Sequence, residues 1–459
     1  MGSFLNTDVV IIGAGPAGCA SAAALSQLGH SVLLIDAGQD RSKQLAGELL
    51  HPPGVEDLRT LGFGPALEAC HGQPVQGFAV VDTRRERRTT QLTYNGSSQG
   101  LSLEHARFAQ SLLEAVERLP NVTVWRKTRL TALLRNDADG VVLTVVRGGE
   151  QQQVFTPLLV AADGRSSFVR KLLGIEEQHD RLSSMVGVTV DAQALPHAGH
   201  GHIFIGGNAP VLAYAIEPDV ARVMVDVPLG ATAQQLHSSP ELLNGVPQPL
   251  RGAILEALER ETPRMASNDT RLPRRVTLGR VVLVGDAAGC CHPVSASGMA
   301  SGISDAMALQ QSLRESLNNV PRALRRYVQR RRSAQRTRIA LASALYQAFS
   351  IQREDMDALR TGLLRYWEES TTGGRNSMEL LSTRETRMWV MAREYMRVVG
   401  YGIGALTSEA FSHQRRDFET LMRAGTGLLT SAFPHLQDSA RGGLEDAFAT
   451  LAASKARRR

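Results

Sequence analysis

Three places in this 459-residue chain set glycine and aspartate at the end of an apolar run. The first is "DVVIIGAGPAGCASAAALSQLGHSVLLID", residues 8–36. Asp8 to Ile12 is continuous and β-branched, as in a strand buried on both faces. Gly13, Gly15 and Gly18 follow in GxGxxG spacing, Ala20 to Leu28 reads as a helix, and Ser31 to Ile35 reads as a second strand ending at Asp36. Each glycine does something different. Gly13 permits a tight turn, Gly15 lets backbone N–H groups approach a pyrophosphate, and Gly18 lets the helix lie close to the sheet. The positive end of the helix then faces the phosphates, and the Asp36 carboxylate arrives where it can hold ribose hydroxyls. Strand, glycine turn, helix and acid in this order predict a dinucleotide site. They do not distinguish FAD from NAD.

The second place is "LLVAADGRSSFVRKLLG", residues 158–174, with Asp163 and Gly164 after an apolar strand. The third is "GRVVLVGDAAG", with Gly285 and Asp286, followed by "CCHPVSASGMASGISDA". The carboxyl edge of a parallel sheet is where ligands bind in α/β folds. Either aspartate alone also reads as a helix cap.

The elements that must position these motifs are those of an α/β protein. The pattern predicts a Rossmann-like dinucleotide-binding domain from 1–174, with a β excursion over 73–99. A substrate-covering β-sheet domain occupies 175–271, the first domain resumes over 272–320, and a helical C-terminal region fills 321–459. Such a length suits two or three domains. Hydrophobic residues make up 43% of the chain, ordinary for a globular protein, and 51 Lys+Arg against 45 Asp+Glu leave a net charge of +6. Four cysteines without metal-ligand spacing or a disulfide framework point to a reducing, cytoplasmic setting and no metal. Neither a cleavable leader nor an apolar run of about eighteen residues is visible. No motif speaks for nucleic acid.

The three motifs together resemble the FAD-dependent monooxygenases of the para-hydroxybenzoate hydroxylase fold. The resemblance implies FAD as cofactor, O2 as co-substrate and electrons from NADPH. It makes Asp286 a ribityl ligand, Asp163 and Gly164 the middle motif, and His292, Pro293, Gly298, Met299 and Ala300 the flavin loop. Several segments resemble the squalene epoxidase branch in particular: "GELLHPPGVEDLRTLGF", "LEHARFAQSLLEAV", "APVLAYAIEPDVARVMVDVP", "GDAAGCCHPVSASGMASGISDAMAL", "LASALYQAFS" and "LLRYWEESTTGG". By that resemblance Arg107 lies near the flavin and Tyr94 near the active site. The chain departs from the branch at four places. Asp36-Ala37 replaces Glu-Arg, leaving Arg41 to serve the pyrophosphate side. "HPVSASGM" replaces His-Pro-Leu-Thr-Gly-Gly-Gly, and Cys291 stands where arginine is usual. The late segment "MWVMAREYMRVVGYGIGAL" carries Arg393, Glu394 and Arg397.

What the resemblance implies is epoxidation of an isoprenoid double bond, in squalene or a prenylated or terpenoid small molecule, through a flavin C4a-hydroperoxide. Few acids or bases are needed. Tyr94 is the candidate positioning residue, though it also reads as a strand tyrosine before the turn "NGSSQG". Phe204 and Tyr214 are candidates to line a lipophilic substrate pocket, or else sheet core. An aromatic hydroxylase and a prenyl-chain reductase are the rival activities. No second glycine fingerprint provides a resident NADPH site, so electrons arrive by transient NADPH contact or from a partner reductase. Eight arginines between Arg322 and Arg338 predict a face for an acidic reductase or for anionic lipid in peripheral membrane contact, or a solvated helix face.

Overall fold

The computed structural model describes residues 5–38, 45–84, 88–350 and 357–412. Arg41 lies outside them. The central sheet is six-stranded, in the order Thr277–Leu278, Val281–Leu283, Leu158–Ala161, Val9–Ile12, Val32–Ile35, Val122–Trp125. All its pairings are parallel except the first. Every residue of Val9–Ile12 is buried, as expected of a strand covered on both faces. Register places Ile12, Ala161 and Leu283 side by side, so the three motifs emerge at one carboxyl edge.

The helix Pro16–Ser26 starts four residues earlier than its alanine run suggests, because Pro16 sits well in a first turn. Its small side chains let it lie between the sheet and the helix Gly298–Glu315. A β-carbon on Gly285 would stand 2.8 Å from that of Ala17, and one on Gly302 3.1 Å from it.

A seven-stranded sheet covers the carboxyl edge, in the order Arg264–Pro273, Glu177–Asp191, Val220–Val227, Val211–Ala215, His200–Ile205, Gly77–Asp82, Arg88–Thr93. Two strands of the β excursion belong to this sheet, Gly77–Asp82 pairing parallel with His200–Ile205, whereas Gln73–Val75 pairs with Gly100–Ser102 in a separate small sheet. The helices Val320–Phe349, Asp357–Glu369, Gly373–Leu381 and Met388–Ser412 pack on one face of it. Two of them cross closely, since a β-carbon on Gly362 would lie 2.5 Å from the Val398 carbonyl oxygen.

Candidate active site

The first motif is a bare cradle. Gly13 has φ +101°, and a β-carbon there would lie 2.5 Å from the Ala162 carbonyl oxygen. A β-carbon on Gly18 would be 1.8 Å from the Gly13 oxygen. Gly15 instead faces open space, at the N-cap of a helix with no side-chain cap. The unpaired first-turn N–H groups and the helix dipole are thus directed at whatever fills that space. Asp36 follows its strand and is half-buried.

The two later aspartates differ. The Asp163 carboxylate accepts from the Ser167 hydroxyl at 2.6 Å and the Val169 N–H at 3.0 Å, so it braces the first turn of the helix Phe168–Leu172, whose N-cap is Ser167. Gly164 turns the chain at φ +79°. Asp286 is half-buried, and its carboxylate accepts no hydrogen bond from any described residue. The turn that presents it is fixed from behind. Gly285 has φ +59°, and its N–H donates to Asp305 at 2.9 Å, while the other Asp305 oxygen accepts from Arg331 at 2.8 Å. Arg338 donates to the Gly289 carbonyl at 3.0 Å, and the Tyr327 hydroxyl to the Leu283 carbonyl at 2.9 Å.

The arginine run therefore has two faces. Arg331 and Arg338 are buried framework, Arg326 and Arg330 pair with Glu315, and Arg322 and Arg325 are exposed. Spacing marks the framework pair: positions seven apart recur on one face of a helix. Arg107 is exposed and pairs with Glu217 at 2.6 Å. A different arginine is locked inside: Arg222 grips Glu48 with two bonds of 2.9 and 3.1 Å, both side chains 2% exposed.

After His292, Pro293 opens a short 3₁₀ turn and Ala296 sits in the left-handed region at φ 49°. The helix Gly298–Glu315 begins directly after this turn, with Ser297 providing no side-chain cap. A β-carbon on Gly298 would meet nothing within 4 Å. The Met299 side chain packs over Gly47.

Against this loop stands a hydrogen-bonded chain that the sequence did not reveal. The Tyr94 hydroxyl is 2.7 Å from His51 Nδ1, and His51 Nε2 is 2.9 Å from the Ser295 carbonyl oxygen. A carbonyl can only accept, so Nε2 carries the proton and Nδ1 accepts from the phenol. Burial holds the imidazole neutral, with its pKa pushed down to about 4, and keeps the phenol protonated well above its ordinary range.

Beyond these rings lies an apolar cavity that is partly open to solvent. Phe78, which is 5.8 Å from the His51 ring and 6.4 Å from the Tyr94 ring, belongs to its wall. Val80, Leu92 and Ile203 continue the wall on the sheet side, with Leu345 and Phe349 among the helical residues opposite. The wall side chains Trp367, Ser377 and Glu394 are hydrogen-bonded. Ser377 accepts from Trp367 at 2.8 Å. Glu394 accepts from Tyr366, from Asn376 at 3.2 Å, from Arg393 at 2.8 Å and from Arg397 at 3.2 Å.

Phe204 does not line this cavity. Strand alternation turns Ile203 toward it and Phe204 to the opposite face, into a core with Leu250 and Ile254. Tyr214 lies in the same core as the cavity walls but outside the lining, its hydroxyl 3.7 Å from the Met224 sulfur.

Comparison with known proteins agrees with this geometry. Residues 6–341 match the family described as FAD binding domain. The chain is 29% identical to squalene epoxidase erg1 of Aspergillus fumigatus over 85% of its own length and 88% of that protein. It is 27% identical to squalene epoxidase 3 of Arabidopsis thaliana, covering 88% and 79%. The fold is shared with p-nitrophenol 4-monooxygenase PnpA of Pseudomonas putida DLL-E4, with a TM-score of 0.71 at 16% identity, covering 84% of this chain and all of that one.

The residues present fit FAD. Two helix N-termini without a side-chain cap, an open position at Gly15, and an Asp286 carboxylate with no hydrogen-bond partner among the described residues lie near where strands paired in register end. They offer donors to a pyrophosphate and a flat ring, and an acceptor to a polyol.

Proposed function

Because the chain belongs to the FAD-binding-domain family and stands in its squalene epoxidase-like branch, we propose that this flavin-dependent monooxygenase epoxidises an isoprenoid carbon–carbon double bond, in squalene or a prenylated small molecule. The observation that carries the reading is the cavity. Its walls are apolar, and the wall side chains Trp367, Ser377 and Glu394 already have partners. A phenol would find little polar lining to receive its hydroxyl there, whereas a hydrocarbon chain would find contact along its length.

FAD supplies, once reduced and supplied with O2, an electrophilic oxygen atom. The protein's own work is then to hold an alkene near it and keep water out. Asp286 would bind the ribityl chain, Gly13, Gly15 and Gly18 the pyrophosphate, Asp36 the ribose, and Pro293, Gly298 and Met299 would flank the ring. Tyr94 acts by position: its one hydroxyl proton is committed to His51, and His51 in turn holds the loop carbonyl of Ser295.

A lipophilic substrate needs a route in. Trp389, Met396 and Ile403, spaced by seven on the helix Met388–Ser412, are 51%, 41% and 45% exposed. Arg387 and Arg393 lie 5.2 and 5.3 Å from the Trp389 ring. Aromatic, aliphatic and cationic groups on one face suit an anionic membrane surface. No helix among the described residues is long and apolar enough to cross a membrane. Electrons from NADPH would come directly or through a reductase whose acidic surface meets Arg322 and Arg325.

The test is single turnover of dithionite-reduced, FAD-loaded protein with squalene under ¹⁸O2. Labelled epoxide is expected. Peroxide alone in air, with a saturated product formed anaerobically, would make the protein a prenyl-chain reductase.

A further inference from the structure

His292 is 2% exposed and is held from three sides. Its Nδ1 accepts from the Val294 N–H at 3.2 Å, so its proton sits on Nε2, which donates to Asp226 of the covering sheet at 2.9 Å. The Tyr346 ring packs on the imidazole with centroids 4.1 Å apart. Tyr346 is on the helix Val320–Phe349, and its neighbours Leu345, Ala348 and Phe349 all line the cavity. Val294, two residues beyond His292, is buried in the same core as the cavity walls. One imidazole thus touches the flavin loop, the covering sheet and the helix that walls the cavity.

A second observation argues against a mere fastening. The other Asp226 oxygen is buried with no hydrogen-bond partner among the described residues. Leaving a buried acceptor unmade is unfavourable, and a static tie would satisfy both oxygens. Here His292 reaches the sheet through one bond to Asp226, beside the backbone bridge between Cys290 and Arg271, and reaches through a ring contact a helix that any cavity ligand must press against.

We propose that His292 is a positioning residue that couples filling of the cavity to placement of the flavin loop, through Tyr346 on the cavity side and Asp226 on the sheet side. The idea rests on the cavity being the substrate site, but not on the reaction carried out there. Coupling of this kind is reciprocal: a ligand that tightens FAD is itself tightened by FAD.

The probe is squalane, the saturated analogue of squalene, which has no double bond to oxidise. The dissociation constant of FAD and the visible absorbance of the bound flavin are measured with and without it. In the wild type, squalane tightens FAD roughly fivefold or more and shifts the flavin band. Tyr346→Leu still binds FAD and squalane singly, but the factor falls toward unity and the shift disappears; in His292→Ala the factor falls likewise, whatever its own affinity for FAD. Tyr346→Phe, which keeps the ring, and His292→Gln, which keeps a donor for Asp226, retain both responses. A wild type indifferent to squalane, or Tyr346→Leu responding like the wild type, overturns the proposal. Should His292→Ala fail to fold, Tyr346→Leu decides alone. A protein that responds to squalane yet forms no epoxide from squalene loses the proposed function and keeps the coupling.

Discussion

The Tyr94 phenol donates to His51 across 2.7 Å, and His51 hands the polarity on to the Ser295 carbonyl at 2.9 Å. The imidazole must stay neutral for this chain to exist as described. An unfolded chain takes up a proton near pH 6.5, whereas folded His51 does so only near 4. Between those values the unfolded state binds more protons, so stability falls as the pH falls through that window. The loss is on the order of 3 kcal/mol by pH 4. His202, buried and likewise pushed down to about 4, adds to it. His51→Gln can accept from Tyr94 and donate to Ser295 without titrating. Urea midpoints at pH 7.5 and 4.5 should therefore differ less in this variant than in the wild type.

Asp57 has the opposite sign of problem. Burial, followed by the neighbouring Glu56 charge, raises its pKa to about 6. Its ionisation opposes folding, so an unfavourable contribution grows from about pH 4 to 6 and persists above. Asp57→Asn should raise the melting temperature at pH 7.5 and leave it unchanged near pH 3.5.

The glycine cradle predicts a split between folding and binding. Gly18→Ala places a β-carbon against the Gly13 oxygen and should yield little folded protein. Gly15→Ala meets no protein atom within 4 Å. It should fold with wild-type circular dichroism and bind FAD roughly tenfold more weakly, about 1.4 kcal/mol.

Asp286 and Asp305 should separate in the same way. Asp286→Ala removes a carboxylate with no hydrogen-bond partner among the described residues, so apo-protein stability should hold while FAD affinity drops about tenfold or more. Asp305→Ala leaves Arg331 buried and unpaired, and should cost about 3–5 kcal/mol in denaturant titration.

Membrane contact through the outer helix face is tested by flotation with vesicles rich in anionic lipid. Trp389→Ser should reduce the bound fraction, with unchanged melting temperature because the ring is half exposed. Equal flotation of variant and wild type would remove that face from the substrate's route.

Local order was readable in the chain and long-range partnership was not. The three strand ends were legible because continuous apolar runs and glycines announce themselves within a few residues. The phase of His200–Ile205 was not: both faces of that strand are buried, so apolar Ile203 and Phe204 look alike until the helix Gln248–Arg260 is in place behind one of them. His51 read as an ordinary residue before a proline, since its partner Ser295 lies 244 positions away. The arginine run looked like a surface because composition cannot show that Arg331 and Arg338 point inward at backbone and carboxylate.

The parallel pairing of Gly77–Asp82 with His200–Ile205 has a consequence for how the molecule comes to exist. Residues 83–199 lie between the two strands, and they contribute two strands of the central sheet. The covering sheet therefore cannot close until a long intervening stretch has been threaded and ordered, a contact pattern that slows folding. The apolar cavity, which borrows Phe78, Val80 and Leu92 from the early strands and Ile203 from the late one, is then among the last parts to form. A newly made chain would expose those apolar strands for longest, and refolding yield should rise when the cofactor is present to stabilise the half that assembles first.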